Sequence, residues 1–330
     1  MRLPDASRPV TIVVVSFNTK SLLRECLASL GAAHQVIVVD NASQDGSPKM
    51  VREEFPLVEL IANSDNRGFG SANNQGLAQA THDRVLLLNP DARAEPGAIE
   101  TLAQALDDPG VAAAGGRLLS SDGSTQNSCS SELTLWAVLC EQTMLEKAFP
   151  HSPRLSPYWL TPRLIQQGSM GPFEVEQVMG ACLMVRPEAR FDERFFLYCE
   201  DTELCYRLRR QGKILYVPEA RFHHDLGASS ARMRWRSVAR YNFGKTLYFF
   251  IHHGLFSALL CEVLNRMGAL FRVILGLVGL ILGVLTVFLM GFGPRLIRWS
   301  IEKLGTFCRV LVAGRQDPRP RRPRPEVPGR

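Results

Sequence analysis

Arg84-Val85-Leu86-Leu87-Leu88-Asn89-Pro90-Asp91 is the stretch on which the reading of this 330-residue chain turns. An uninterrupted apolar run of this length reads as a parallel strand buried on both faces. In open α/β sheets, ligands collect in the crevice outside the carboxyl ends of the strands. The run therefore carries Asn89 and Asp91 to the place where a ligand would sit. A carboxylate there, with Arg93 as its one basic neighbour, suits a hard divalent cation bearing phosphate oxygens, because Mg²⁺ takes one or two protein carboxylates and leaves the rest to substrate. Taken alone, the same segment also reads as a polar cap at the end of a strand.

The segments around it supply the context. Val10 to Val15 is a β-branched run ending in Ser16-Phe17-Asn18, and Val36 to Val39 is another ending in Asp40-Asn41-Ala42-Ser43. Between them, Thr19 is placed to cap a helix whose apolar positions Leu22, Leu23, Leu27 and Leu30 recur at helical spacing. Val58 to Ile61 gives a third strand, Ser71 to Ala80 a helix, Arg84 to Leu88 a fourth strand, Gly97 to Leu106 a helix and Val111 to Ala114 a fifth strand. This alternation predicts a doubly wound α/β sheet over the first half of the chain. The loop Asn66-Arg67-Gly68-Phe69-Gly70-Ser71-Ala72-Asn73 departs from a dinucleotide fingerprint, since Asn73 replaces the third glycine and the loop follows the third strand instead of the first. It reads either as a cradle for phosphate or ribose through backbone N–H groups or as a plain glycine turn before an Asn-rich helix start.

These blocks resemble the nucleotide-sugar half of glycosyltransferase family 2, most closely its rhamnosyltransferase-like members. The likeness continues through Gly180-Ala181-Cys182, Phe191 to Phe196, Glu200-Asp201-Thr202-Glu203-Leu204-Cys205-Tyr206-Arg207 and His224 to Ser230, so it runs in unbroken order from Val10 to Ser230. The resemblance implies a GT-A fold, a Rossmann-like α/β domain with a mostly parallel sheet. That domain would occupy residues 1–245, with a nucleotide-sugar half over about 8–116 and an acceptor and catalytic half over 117–245. It further implies that Asp40 contacts the nucleotide base, that Ser16 and Asn18 line the ribose pocket, and that Asn66, Gly68, Asn73, Asn89 and Gly180 belong to the substrate-binding blocks. Asp91 would hold Mg²⁺ or Mn²⁺, although the motif is Asn-Pro-Asp where many members have two Asp. Asp201 would be the general base with Glu200 beside it, and His224 would touch diphosphate or metal. The donor implied is dTDP-L-rhamnose, with UDP- and GDP-sugars as alternatives, and the acceptor a lipid-linked glycan at the cytosolic face of a bacterial inner membrane.

The chemistry asks for this pattern independently. Attack of a sugar hydroxyl on an anomeric carbon requires removal of a proton, for which a placed carboxylate supplies about 10²–10⁴-fold in rate. The departing nucleoside diphosphate gathers negative charge that a divalent cation offsets. Two carboxylate sites are needed, and Asp91 and Asp201 fit. Glu200, Asp201 and Glu203 also suit the N-terminus of an amphipathic helix over Glu203 to Arg210 through the macrodipole. His223 is expected to pack. The remaining rival is a membrane-attached nucleotide-sugar binder without turnover.

The rest of the chain is of another kind. Val273 to Phe292 lacks charge and is long enough for a bilayer core of about 30 Å. Leu247 to Leu264 is also apolar but carries His252, His253 and Glu262. Residues 246–312 thus read as a membrane-associated module, either a hairpin of two spans or helices in the interface, with a helical lid on a soluble domain as the alternative. Arg295, Arg298, Lys303, Arg309 and Arg315 set the final flank on the cytosolic side. The tail over 313–330, rich in Arg and Pro, is expected to be disordered and to rest on anionic lipid. It carries most of the formal +6 charge, so basicity is no argument for nucleic acid. Met1 to Pro9 shows no signal peptide. Eight scattered cysteines without a C-x-x-C pair indicate neither a zinc site nor a disulfide framework and read as buried thiols in a reducing cytosol. Ser120 to Pro172, weakly patterned, is the expected location of acceptor-facing loops. Ala231-Arg232-Met233-Arg234-Trp235 lacks the Gln of the processive Gln-x-x-Arg-Trp motif, which favours addition of a single sugar.

Overall fold

Period-two alternation in a β-branched segment sends successive side chains to opposite faces of a sheet, and the first strand shows the result. Ile12 and Val14 enter one core layer while Val13 and Val15 enter the other, all nearly inaccessible to solvent. The computed structural model describes residues 9–166, 171–225, 234–290 and 294–313. In chain order its elements are β1 (Thr11–Ser16), α1 (Lys20–Ala28), β2 (Gln35–Asp40), α2 (Ser47–Glu54), β3 (Glu59–Ala62), α3 (Phe69–Ala78), β4 (Val85–Leu88), β5 (Ala92–Ala94), α4 (Ala98–Gln104), β6 (Val111–Leu119) and β7 (Cys129–Ser130). There follow α5 (Leu135–Gln142), α6 (Leu145–Ala148), α7 (Thr161–Gln166), β8 (Phe173–Val175), β9 (Gln177–Val178), β10 (Cys182–Val185), α8 (Glu200–Leu208), β11 (Lys213–His224), α9 (Arg234–Met290) and α10 (Pro294–Val312).

The main sheet has the order β3-β2-β1-β4-β10-β6-β11-β5, with β8 added to β11. Strands β1 to β4, β6 and β11 run one way, and β10, β5 and β8 oppose them. On one face α1, α2 and α4 bury Leu23, Met50, Val51, Ile99 and Leu102. On the other, α3 and α8 bury Leu77, Leu204 and Leu208. α3 lies so close to β1 that a Cβ at Gly76 would stand 2.3 Å from Val13 Cγ1. Because β1, β2 and β4 are parallel neighbours, Ser16, Asp40 and the residues after Leu88 emerge at one edge of the sheet.

Local details differ from the sequence reading at α3, α8, Thr19 and Ser120 to Pro172. α3 and α8 begin earlier than periodicity indicates, at Phe69 and Glu200, which draws both acids of the Glu200-Asp201 pair into the first turn. Thr19 occupies the cap position of α1, yet its side chain does not cap the helix. It meets Ser16 Oγ at 3.0 Å, and the Lys20 N–H is met by Asp45 Oδ2 at 2.8 Å. Ser120 to Pro172 contains three short helices in place of simple loops, and Thr134 caps α5 by accepting from the Ala137 N–H at 3.1 Å.

The two C-terminal apolar segments are not separate helices. Leu247 to Leu264 and the described part of Val273 to Phe292 lie within α9, which is interrupted instead at Gly254, whose φ of 81° and ψ of 176° are closed to residues bearing a Cβ. The arm over 234–253 packs on the α/β domain through Tyr248 and Phe249 against Leu133, Val138 and Phe195. It is pinned by Lys245 Nζ, fully buried, 2.7 Å from Glu141 Oε2. The arm over 255–290 pairs antiparallel with α10, Gly283 meeting Ile297, Gly279 meeting Ser300 and Gly276 meeting Leu304. The hairpin is therefore formed by the distal arm and α10. Its outer side exposes Phe256, Val263, Met267, Leu270 and Ile281. α9 is long and apolar enough to cross a membrane by length and composition. All eight cysteines are free, seven buried, while Cys308 is exposed, contrary to expectation. Gly227, Ser229, Ser230, the segment Ala231 to Met233 and the tail from Arg315 lie outside the described residues.

Candidate active site

The ends of β1 and β2 are tied to each other before they are offered to any ligand. Asn18, left-handed at φ 55°, donates its N–H to Ser43 Oγ at 2.8 Å and accepts from the Gln44 N–H at 2.7 Å. Asn18 thus shapes the rim, and Ser16 is buried behind it. Asp40 Oδ1 accepts from the Ser43 N–H at 2.8 Å, whereas Asp40 Oδ2 is buried without a hydrogen-bond partner. Burial pushes the Asp40 carboxyl above its ordinary pKa, with the bonds from Ser43 opposing.

Two N–H groups of the glycine-rich loop are already taken within the protein. Asn66 Oδ1 takes the Gly68 N–H at 3.0 Å, and the Phe69 N–H goes to Phe196 O at 2.9 Å. Gly68, at φ 90°, is required there, since a Cβ would stand 2.5 Å from Phe196 O. Its carbonyl takes Asn41 Nδ2 at 3.1 Å, and the loop is in effect a clasp between β2 and the segment preceding α8. Asn73 is not brought to the crevice. It is buried within α3 with its amide donating to Phe69 O at 3.0 Å.

Asp91 lies where the sequence placed it, beyond β4 and buried, and its Oδ1 has no aligned hydrogen-bond donor. His224 Nε2, at the end of β11, stands 3.3 Å from that oxygen, and Asn89 Nδ2 approaches the same nitrogen at 3.5 Å. His224 is held twice by Gln126: Nδ1 faces Gln126 Oε1 at 2.8 Å, and its carbonyl accepts from Gln126 Nε2 at 2.6 Å. With Oε1 an acceptor, Nδ1 donates to Gln126, and Nε2 is the ring nitrogen turned toward Asp91. Gln126 sits in a polar turn region that offers no periodic signal. His223, expected to pack, is half-exposed and faces Glu95 at 3.1 Å. Arg93 is engaged with Glu25 at 2.8 Å and with Asp225 at 3.0 Å.

The second carboxylate site adjoins the first through the sheet. The Asn89 N–H donates to Ala181 O at 3.0 Å, and the next residue back, Gly180, donates its N–H to Asp201 Oδ2 at 2.9 Å. A Cβ at Gly180 would stand 3.3 Å from Asp201 Cβ, so the absence of a side chain brings this carboxylate against the β10 turn. Asp201 Oδ1 accepts from the Thr202 N–H at 2.8 Å. Burial nevertheless raises its pKa, and Glu200, buried and with Oε2 unpartnered, is raised well above the ordinary carboxyl value, first by burial and then by Asp201. Two consecutive left-handed residues, Tyr198 at φ 74° and Cys199 at φ 66°, set the start of α8. Strain at non-glycine residues of this kind persists where the surroundings hold it. Here Gly244 of α9 supports it, since a Cβ there would stand 2.6 Å from Tyr198 O.

Asp91, His224, Asn89, Gly180, Asp201 and Glu200 therefore gather at the β4 and β10 junction, with Asp40 and Asn18 at the neighbouring strand ends. Among the described residues no three His, Cys, Asp or Glu side chains are grouped to hold a metal ion unaided. The Asp91 oxygen and His224 nitrogen fit a cation that takes its remaining ligands from phosphate and water.

The glycosyl transferase family 2 model matches residues 11–172. Over 264 residues the chain is 31% identical to the N-acetylglucosaminyl-diphospho-decaprenol L-rhamnosyltransferase of Mycobacterium tuberculosis, covering 73% of this chain and 83% of that protein. A hexosyltransferase of low-salt glycan biosynthesis from Haloferax volcanii is 23% identical over 213 residues, covering 61% of this chain and 62% of the relative. The mannosyltransferase of Pyrobaculum calidifontis, solved with GDP-Man and Mn²⁺, superposes with a TM-score of 0.52 at 16% identity over 94% of this chain and 88% of that one, which shows a shared fold.

Proposed function

The chain belongs to glycosyl transferase family 2 and is a glycosyltransferase, and from that premise we propose that it transfers L-rhamnose with inversion from dTDP-rhamnose to a lipid-linked glycan at the cytosolic face of a membrane. The observation that carries the reading is the pair of carboxylates at one junction, Asp91 with a buried oxygen lacking a donor and Asp201 joined to it through Gly180, Ala181 and Asn89. The M. tuberculosis relative, whose name specifies a rhamnosyl product on a GlcNAc-diphospho-lipid, supports the donor sugar and the acceptor class.

In this reading Asp40 Oδ2 takes the imide N–H of the base, an atom pair that thymine and uracil both satisfy. Asp201 accepts the proton of the acceptor hydroxyl while that oxygen bonds to the anomeric carbon. On the opposite face the bond to the diphosphate oxygen breaks, and its electron pair leaves with the nucleoside diphosphate. A raised pKa suits Asp201 to the task, since a base is most effective when its pKa approaches the working pH. A Mg²⁺ or Mn²⁺ ion held by Asp91 and His224 would neutralise charge on the departing diphosphate. Gln126 fixes the His224 ring, a support whose loss commonly costs about 10–100-fold in metal affinity.

Calorimetric titration with dTDP, UDP and GDP, each with and without Mn²⁺, followed by transfer assays on GlcNAc-diphospho-lipid, tests the proposal. Metal-dependent preference for dTDP and rhamnose transfer are expected. Preference for UDP or GDP would overturn the donor assignment, and equal affinity with and without Mn²⁺ would remove the metal role.

A further inference from the structure

Beyond the donor crevice, a cavity of about 230 Å³ opens between the α5 to α6 turn, the two arms of α9 and α10. Its lining joins three cationic side chains, Lys147, Arg272 and Lys303, to the rings of Tyr241, Trp299 and Phe307. The Arg272 guanidinium donates to Gln142 O at 2.9 Å, Gln142 Oε1 at 3.0 Å, Gly268 O at 3.0 Å and Glu141 O at 3.0 Å, all neutral oxygens. Glu141, the acid in the lining, has its carboxylate 2.7 Å from Lys245. Lys303 lies 5.6 Å from the Trp299 ring centroid, and Trp299 is 45% exposed beside the apolar outer side of the hairpin. The lining thus carries three cationic side chains and one acid, at a mouth that borders the apolar outer side of the hairpin.

The inner wall points to the other end of the ligand. Tyr241 and Glu141 also line a second cavity of about 160 Å³, bounded by Tyr158 and Trp159. The Tyr241 ring meets Tyr198 edge-on at 6.3 Å, and Cys199 Sγ donates to Tyr241 O at 3.8 Å. Tyr198 and Cys199 immediately precede Glu200 and Asp201. One wall therefore separates the cationic cavity from the segment that positions the candidate base.

Resting on the transferase reading, we propose that this cavity seats the diphosphate of the lipid-linked acceptor, its apolar chain running along the exposed side of α9 and its sugar directed past Tyr241 toward Asp201. Diphosphate carries more charge than a phospholipid phosphodiester, and three cations around one small cavity complement it.

The test uses the full chain and three vesicle preparations: phosphatidylcholine alone, phosphatidylcholine with phosphatidylglycerol, and phosphatidylcholine with N-acetylglucosamine diphosphate esterified to farnesol, the last two matched in charge. Arg272→Gln also disturbs the α5 terminus, so the informative variant is Lys147→Gln with Lys303→Gln. Co-flotation should be strongest on the ester vesicles, and the double variant should bind the ester about tenfold more weakly while retaining dTDP affinity. Equal flotation on phosphatidylglycerol and ester vesicles would overturn the proposal in favour of a general anionic-lipid site, and an unchanged double variant would overturn it outright. Sugar transfer is measured in the same vesicles, and ester binding without transfer would sustain the cavity while overturning the rhamnosyl reading.

Discussion

Glu200 and Asp201 are adjacent acids with unequal surroundings, and the difference divides their roles. Asp201 has an N–H bond on each oxygen, from Gly180 and Thr202, whereas Glu200 Oε2 has no hydrogen-bond partner. Asp201→Asn should lower kcat by about 10²–10⁴-fold and leave donor affinity intact, as measured by turnover beside calorimetry; undiminished turnover would remove Asp201 as the base. Because burial raises the Asp201 pKa, the rising limb of the wild-type rate against pH should lie above the ordinary carboxyl range. Glu200 bears on stability. A carboxyl whose folded pKa exceeds its unfolded value, 4.5 for Glu, favours folding below that value, and the advantage is lost as pH rises through the folded pKa. The thermal midpoint of the wild type should therefore fall across that interval, and that of Glu200→Gln should fall less. That Asp91 follows a buried strand was legible in the sequence because a short polar residue after an apolar run stands out, whereas Glu200, Asp201 and His224 were singled out by the resemblance of their motifs. Gln126, the Phe196 carbonyl and the burial of Asn73 were not, because each depends on a partner far along the chain or on which side of a helix faces the sheet.

Among the elements, close approach is set by glycines that carry no sequence signal of their own. Gly76→Ala would force a Cβ onto Val13 Cγ1, separating α3 from β1. Overpacking of this kind costs about 1–3 kcal/mol, and denaturant titration should show a loss of that size, while a stability within experimental error of wild type would refute the packing argument. Gly244→Ala should act differently. Pressing on Tyr198 O, it should displace the start of α8 and lower kcat more than it weakens dTDP binding. The strands and helices up to β6 were readable because hydrophobic period and length agree there. α5 to α7 were not, since each is short and its apolar face is defined only by a distant partner: α5 packs against α9, more than ninety residues on, and Leu164 of α7 packs on the sheet core.

At the scale of the molecule, two bodies of opposite surface chemistry share one helix. Replacing Phe256 and Leu270 with Glu should move the protein from the membrane fraction to the soluble fraction without altering dTDP affinity, and continued sedimentation with membranes would count against the hairpin as the anchor. The apolar content of this region was plain in the sequence, but its division was not. Gly254 resembles Gly268, Gly276, Gly279 and Gly283 as a letter, and only its backbone angles distinguish it. Those angles have a geometric corollary. The arm after Gly254 folds back on the arm before it and on α5, where Ala258 and Cys261 join Leu133 and Tyr248 and Arg272 donates to Glu141 O, so the corner and that seam together set how the apolar outer side of the hairpin is held against the α/β domain. Straightening that corner would strip Arg272 from α5 and open the cationic cavity, making the distance between the apolar surface and the candidate base a property of a residue that touches neither.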